Sequence, residues 1–122
     1  MSSRVMRPSK ALTCVYLYRN PIDFRKSFRG IAAIVELELG HNPFAGHLYA
    51  FTNRQRNKVK CLFWEDNGFV LYYKSLAEEK FKWPRPGETL LTLTGEQMNW
   101  LLDGYDLSKM KPLKKLHYES SC

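Results

Sequence analysis

Four cations, Arg54, Arg56, Lys58 and Lys60, occupy every second position of a short stretch that contains no acid. Side chains two residues apart on an extended chain project to the same side. An extended arm here would therefore present all four charges together, as a row of contacts for a phosphate backbone requires. A second cluster is Arg25 and Arg29, one helical turn apart, with Lys26 beside them. It falls in the first two turns of an expected helix, where the helix dipole disfavours cations. An anion held by the helix N-terminus and the two arginines would explain that placement. An ordinary solvated face is the alternative for this cluster, and a solvated hairpin tip is the alternative for the loop.

Other chemistry does not assemble. Glu65-Asp66 and Glu78-Glu79 are adjacent acids at expected turns, more in keeping with solvated charge than with metal ligation. Asp23, Glu65 and Asp103 form a conceivable metal-nuclease trio, but nothing in their spacing selects it. His41, His47 and His117 do not fall at ligand spacing with Cys14, Cys61 or Cys122. No glycine-rich phosphate loop, nucleophile elbow or paired-histidine motif occurs, and Ser27 has no evident base. The expectation is a protein without a catalytic, metal or cofactor site. Trp64, Trp83 and Trp100 have the chemistry to stack on bases, but tryptophans on strands and helices are expected in the core.

The totals agree with an anionic partner. The chain has 122 residues and a net charge of +7, with 44% hydrophobic and 14% aromatic residues. That is one domain with a real core and a basic surface, and nucleic acid is the commonest partner for such a balance. A membrane surface is disfavoured, because the longest apolar run, Ile31 to Val35, is far below the roughly 20 residues of a span. No secretory signal is visible at the basic, polar start, and three dispersed cysteines do not make a disulfide framework. A cytoplasmic location is expected.

The elements that must position these cations follow from the pattern. Residues 1–12 read as a flexible basic arm, 13–107 as a single α+β domain, and 108–122 as a basic, loosely ordered tail. Thr13 to Tyr18 is a strand by composition, broken at Asn20-Pro21. A helix over 23–39, capped by Asn20 or Asp23, carries Phe24, Phe28, Ile31, Ala32, Val35 and Leu39 as its apolar stripe. His47 to Thr52, Lys58 to Trp64 and Phe69 to Lys74 are strands. Asp66-Asn67-Gly68 joins the last two as a hairpin, pairing Trp64 with either Leu71 or Phe69 depending on the turn. Ser75 to Glu79 reads as one helical turn, Phe81 to Trp83 as a short strand, and Thr89 to Leu93 as a last strand or a helix approach. Thr94 and Gln97 form a capping box for a helix that points Met98, Leu101, Leu102 and Tyr105 inward and stops near Gly104. The predicted fold is an antiparallel sheet of four or five strands with the 23–39 helix packed on it and the 95–103 helix closing one edge. Phe28, Ile31, Val35, Leu48, Phe63, Leu71, Leu101 and Leu102 are its expected core.

Several ordered segments also carry a resemblance. They are Asp23-Phe24-Arg25-Lys26-Ser27-Phe28-Arg29-Gly30, Asn42-Pro43-Phe44-Ala45-Gly46-His47-Leu48, and Phe51 through Lys60. The match continues through Trp64, Gly68-Phe69, Tyr73-Lys74-Ser75-Leu76, Phe81-Lys82-Trp83-Pro84, Leu93-Thr94, Gln97 and Leu101-Leu102-Asp103-Gly104. Over about residues 13 to 107 the chain resembles the small accessory protein, the second-frame product, of bacterial insertion sequences of the family numbered sixty-six. Two positions depart from that pattern, Glu65 where the family has aspartate and Glu79 where it has glycine. The resemblance implies a non-catalytic role in transposition beside a separate transposase. The resemblance does not settle the mechanism, and the residues leave two readings: a protein that binds DNA at the element ends, contacted through Arg25, Lys26, Arg29, Arg54, Arg56, Lys58 and Lys60, or an adaptor that bridges or recruits the transposase without contacting DNA.

Overall fold

The computed structural model describes residues 7–12, 14–87 and 90–109. Five strands form one sheet: β1 (Val15–Leu17), β2 (Leu48–Thr52), β3 (Lys58–Glu65), β4 (Gly68–Ser75) and β5 (Leu91–Leu93), in the order β4-β3-β2-β1-β5. The sheet is mixed rather than antiparallel. β1 and β2 run parallel, Val15 opposite Leu48, while β1–β5, β2–β3 and β3–β4 are antiparallel. The cause is the connection: a helix lies between β1 and β2, and a helical crossover returns the chain to its starting end, so the next strand runs parallel.

That helix is shorter than the sequence pattern predicts. It consists of α1 (Phe28–Ala33) continued by a π-helical turn, Ile34–Glu38. Asp23 does not cap it. Its carboxylate instead accepts the Arg25 backbone N–H at 2.9 Å, and its carbonyl accepts from the Lys26 N–H, closing a separate turn ahead of the helix. Ser27 stands at the N-cap position without a side-chain capping bond. The apolar stripe still faces the sheet, where Ile31, Ile34 and Val35 pack with Tyr49, Phe51 and Leu62. Phe28 falls outside this core and is 38% exposed, because it opens the helix at the margin of the sheet.

The second helix, α2 (Gly95–Leu102), has the capping box read from the sequence. Thr94 Oγ1 accepts from the Gln97 N–H, and Gln97 Oε1 from the Thr94 N–H. Rather than closing an edge, α2 covers the other face of the sheet. Met98, Leu101 and Leu102 join Val15, Leu17, Leu48, Ala50, Val59 and Cys61 there. Each face of the sheet thus has its own core, which is why both faces of β2 are apolar and all five of its residues are buried. Tyr105 lies beyond the helix and is exposed. Phe63 and Leu71, on the two strands at the β4 edge of the sheet, are half-buried.

The hairpin takes the register that pairs Trp64 with Phe69 and Glu65 with Gly68. Asp66 and Asn67 are its turn residues, and Asp66 sits in left-handed backbone space at φ 52°. Ser75 to Glu79 forms no helical turn; β4 ends at Ser75 and a bend follows. Phe81 to Trp83 is not a strand, although both aromatics are buried. The segment is held by the Phe81 N–H donating to the Arg56 carbonyl at 2.7 Å and by the Trp83 indole N–H donating to the Tyr18 carbonyl at 3.1 Å. Glu79 does not adopt a positive φ, so glutamate at that position carries no backbone strain.

Residues 7–12 of the expected basic arm pack along α2. Arg7 reaches Asn99 Oδ1 at 2.8 Å and Asp103 at 3.1 Å. Asn99 Nδ2 donates to the Pro8 carbonyl, and the Gly95 N–H to the Leu12 carbonyl. Gly95 is required here, since a Cβ on it would meet the Ser9 carbonyl oxygen at 2.2 Å. The expected tail, except for its first two residues, lies outside the described residues.

Candidate nucleic-acid interface

Because β1 and β2 are parallel, their C-terminal ends share one end of the sheet. Three segments converge there: residues 19–26 after β1, the loop 53–57 between β2 and β3, and residues 76–85 after β4. The loop owes its shape to Asn53, which is 7% exposed. Asn53 Oδ1 accepts from the Asn57 and Lys58 N–H groups, both at 3.1 Å, and its amide nitrogen donates to Asn57 Oδ1 at 2.7 Å and Gln55 Oε1 at 3.2 Å. One buried amide thereby folds five polar residues into a defined turn. Asn53 and Asn57 were not among the expected site residues; an asparagine at the first position of a polar turn was the available signal.

The loop 53–57 and the turn around Asp23 face one another across a shallow groove of about 590 Å³ lined by Ile22, Phe24, Arg25, Arg54, Lys58 and Tyr73, among others. The Ile22 N–H donates to the Thr52 carbonyl at 2.9 Å, pinning one wall to the sheet. Lys60 pins it further: its ammonium donates to the Phe24 carbonyl at 2.9 Å and the Lys26 carbonyl at 3.2 Å, and lies over the rings of Phe24 and Tyr73. Partial desolvation lowers the Lys60 pKa. This lysine is a tie between two segments more than a free charge.

The seven expected contact residues therefore divide. Arg25, Lys26, Arg54, Lys58 and Lys60 are gathered at one end of the molecule. Arg25 arrives already paired, its guanidinium holding both Asp23 carboxylate oxygens, with the closest contact at 2.7 Å. Those bonds are the largest cause of an Asp23 pKa well below the usual carboxylate range. Arg29 stands apart, one residue into α1, with its guanidinium over the Phe28 ring at 5.4 Å. Arg56 is turned away. Its φ of 61° interrupts the two-residue alternation, and its side chain lines a different groove on the opposite face of the sheet.

At the other end of the β3–β4 hairpin the surface is aromatic. Phe44, 54% exposed, packs edge-on against Trp64 at 5.0 Å and beside Phe69 at 5.4 Å, and Phe69 in turn meets Phe28 at 5.8 Å. Among the described residues no group of three or more His, Cys, Asp or Glu side chains is placed to hold a metal ion. Among the same residues, no helix is long and apolar enough to cross a membrane.

The fold is a small mixed-sheet α+β domain with a basic end and an aromatic end. Comparison with known proteins makes the assignment narrower. The family model described as IS66 Orf2 like protein matches residues 13–112, so the chain belongs to that family, the accessory proteins of IS66-type insertion sequences. Two relatives from Sinorhizobium fredii (strain NBRC 101917 / NGR234) are similar along most of their length. The uncharacterized protein y4jC is 29% identical over 88% of this chain and 93% of its own length; the uncharacterized protein y4hO is 29% identical over 83% and 88%. No solved structure gives a significant match.

Proposed function

We propose that this protein is a non-catalytic accessory factor of insertion-sequence transposition that holds duplex DNA by its phosphate backbone. The observation that carries the reading is the convergence of Arg54 and Lys58 on one groove, with the exposed Lys26 next to the turn that forms its other wall, on a loop and a turn that Asn53 and Lys60 hold in place. Pre-ordered cations lose little conformational freedom on meeting phosphate. Such contacts position the protein without reading sequence.

The test is the salt dependence of duplex binding. Each neutralised phosphate contributes about 0.9 to the log–log slope of affinity against salt. Replacing Lys26, Arg54 and Lys58 together by alanine should flatten that slope by roughly 2 to 3, equally on element ends and random duplex. These side chains stand at the surface, so a circular dichroism spectrum and melting curve should stay near the parent's. An unchanged slope in a folded variant removes DNA contact from this groove.

A second reading is supported by the cluster of exposed Phe28 and Phe44 with half-buried Trp64 and Phe69. Aromatics are enriched where proteins meet, and this cluster suits an adaptor that recruits the transposase. The two roles use opposite ends of the hairpin and are separable by mutation.

A further inference from the structure

The groove that receives Arg56 is more strongly basic than the one the sequence points to. About 800 Å³ in volume, it lies on the α2 side of the sheet, floored by Phe81, Trp83, Leu91 and Leu93. Arg56, Lys82, Arg85 and Lys109 line it, all exposed, and none makes an ion pair among the described residues. Asp106 is the acid in its lining, and that carboxylate is committed to the chain itself. It accepts the Ser108 hydroxyl at 2.6 Å and the Ser108 N–H at 3.0 Å. Its pKa is lowered chiefly by that hydroxyl hydrogen bond, with Lys109 and Lys82 adding through space.

The walls are built rather than incidental. The chain after β4 is fastened to the loop by the Phe81 N–H on the Arg56 carbonyl and the Leu76 N–H on the Asn57 carbonyl at 2.8 Å. Farther along, Trp83 bonds to Tyr18, the Arg19 Nε donates to the Arg85 carbonyl at 2.9 Å, and Asn20 and Gly87 exchange two hydrogen bonds. Phe81 and Trp83, at 2% and 5% exposure, are core, so the floor offers no ring for base stacking. What remains for a ligand is a concave row of cations, the chemistry of a phosphate backbone.

Both grooves open at the same end of the sheet but against opposite faces, with the loop 53–57 as the ridge between them. Arg54 and Lys58 look to one side and Arg56 to the other. A straight duplex seated in one groove is turned away from the second. We infer that the protein holds two duplex segments at once, one on each flank of the loop, and so bridges DNA. This rests on the DNA-binding reading above, and extends it from a single footprint to two.

The test is a capture assay: one duplex is tethered to beads, a second carries a fluorophore, and purified protein is added at near-physiological salt. The parent should retain the labelled duplex. The triple variant Lys82→Gln, Arg85→Gln, Lys109→Gln changes exposed side chains and should fold, as a melting curve will verify. Loss of three phosphate contacts predicts a fall in captured duplex of at least about tenfold. Binding to a single duplex should fall only about twofold to threefold, because the first groove is untouched. The mirror variant Lys26→Ala, Arg54→Ala, Lys58→Ala should lose capture in the same way. Undiminished capture by the groove triple overturns the inference, since bridging would then arise from association of protein copies through the first groove alone. A parallel loss of single-duplex binding also overturns it, as the mark of one continuous footprint. A parent that binds one duplex but captures no second refutes bridging alone, whereas a parent that binds no duplex refutes the DNA-binding reading.

Discussion

The two ends of the β3–β4 hairpin handle the same kind of residue in opposite ways. At the loop end, Phe24 and Tyr73 lie 6.3 Å apart with the Lys60 ammonium over both rings and fixed by two carbonyls, while Tyr73 itself stays about half exposed. At the turn end, Phe44, Trp64 and Phe69 pack on one another without a cation among them, Phe69 reaching the core beneath, and Phe44 stays more than half exposed. Aromatic content alone therefore does not locate an interface. The loop end uses its rings to hold a cation, whereas the turn end packs its rings on one another.

Both ends depend on one rigid strand pair, and the largest expected effect tests that dependence. Leu62 is 1% exposed at the middle of β3. Leu62→Ala should cost about 2–5 kcal/mol of stability, as buried leucine truncations do, and should weaken DNA binding and transposase capture together. Denaturant unfolding beside both binding assays would reveal two independent ends if only one activity fell.

The next effect separates the ends. Phe44→Ala removes an exposed ring, so it should change stability by no more than about 0.5–1 kcal/mol. If the cluster docks the transposase, the same change should weaken that complex by about 2 kcal/mol or more, as interface anchors do. Its salt slope on duplex DNA should not move. A titration of labelled transposase gives the answer, and equal affinity for parent and variant would discard the aromatic end as the docking site.

Lys58 and Lys60 sharpen the contrast within the basic end. Lys60→Met keeps the apolar stem but leaves two carbonyls without their charged donor, and should cost about 1–2 kcal/mol with little change in salt slope. Lys58→Met should do the reverse, costing no more than about 0.5 kcal/mol while flattening the slope by about 0.9. Matching slopes for the two variants would mean that Lys60 leaves its carbonyls to meet phosphate.

The smallest effect concerns Arg25. Asp23→Asn keeps the acceptor for the Arg25 N–H but removes the charge that occupies the guanidinium. If Arg25 then reaches phosphate, the salt slope should steepen by about 0.9 and duplex affinity should rise. The Asp23 pKa is depressed in the folded state, so its contribution to stability is complete above the unfolded value of about 3.9. It drains away as pH falls through the lower folded value. The stability difference between parent and Asp23→Asn should accordingly narrow in strong acid, which melting curves across the acid range would follow.

Much of this was legible in the chain because it depends on neighbours in sequence. The capping box at Thr94 and Gln97 needs only a three-residue spacing. The strands β2, β3 and β4 announce themselves by β-branched and aromatic residues, and the turn between the last two by Asp66-Asn67-Gly68. The basic loop is a local fact as well, and so is the family pattern carried by the segments from Asp23 to Gly104. The direction of β1 against β2 was implicit in the helix between them, but an apolar pattern does not state which way a strand runs.

Tertiary structure decided what the charges are for. Nothing near Lys60 in sequence foretells the carbonyls of Phe24 and Lys26, which lie more than thirty residues away. Arg56 reads as one more cation in an alternating row until the Phe81 segment fastens its carbonyl and the backbone turns to positive φ. The groove it joins draws on residues 56, 82, 85 and 109, a set no spacing rule connects. Charge count is a property of composition, but whether a given cation ties the chain together or faces a partner depends on which distant backbone groups need a donor.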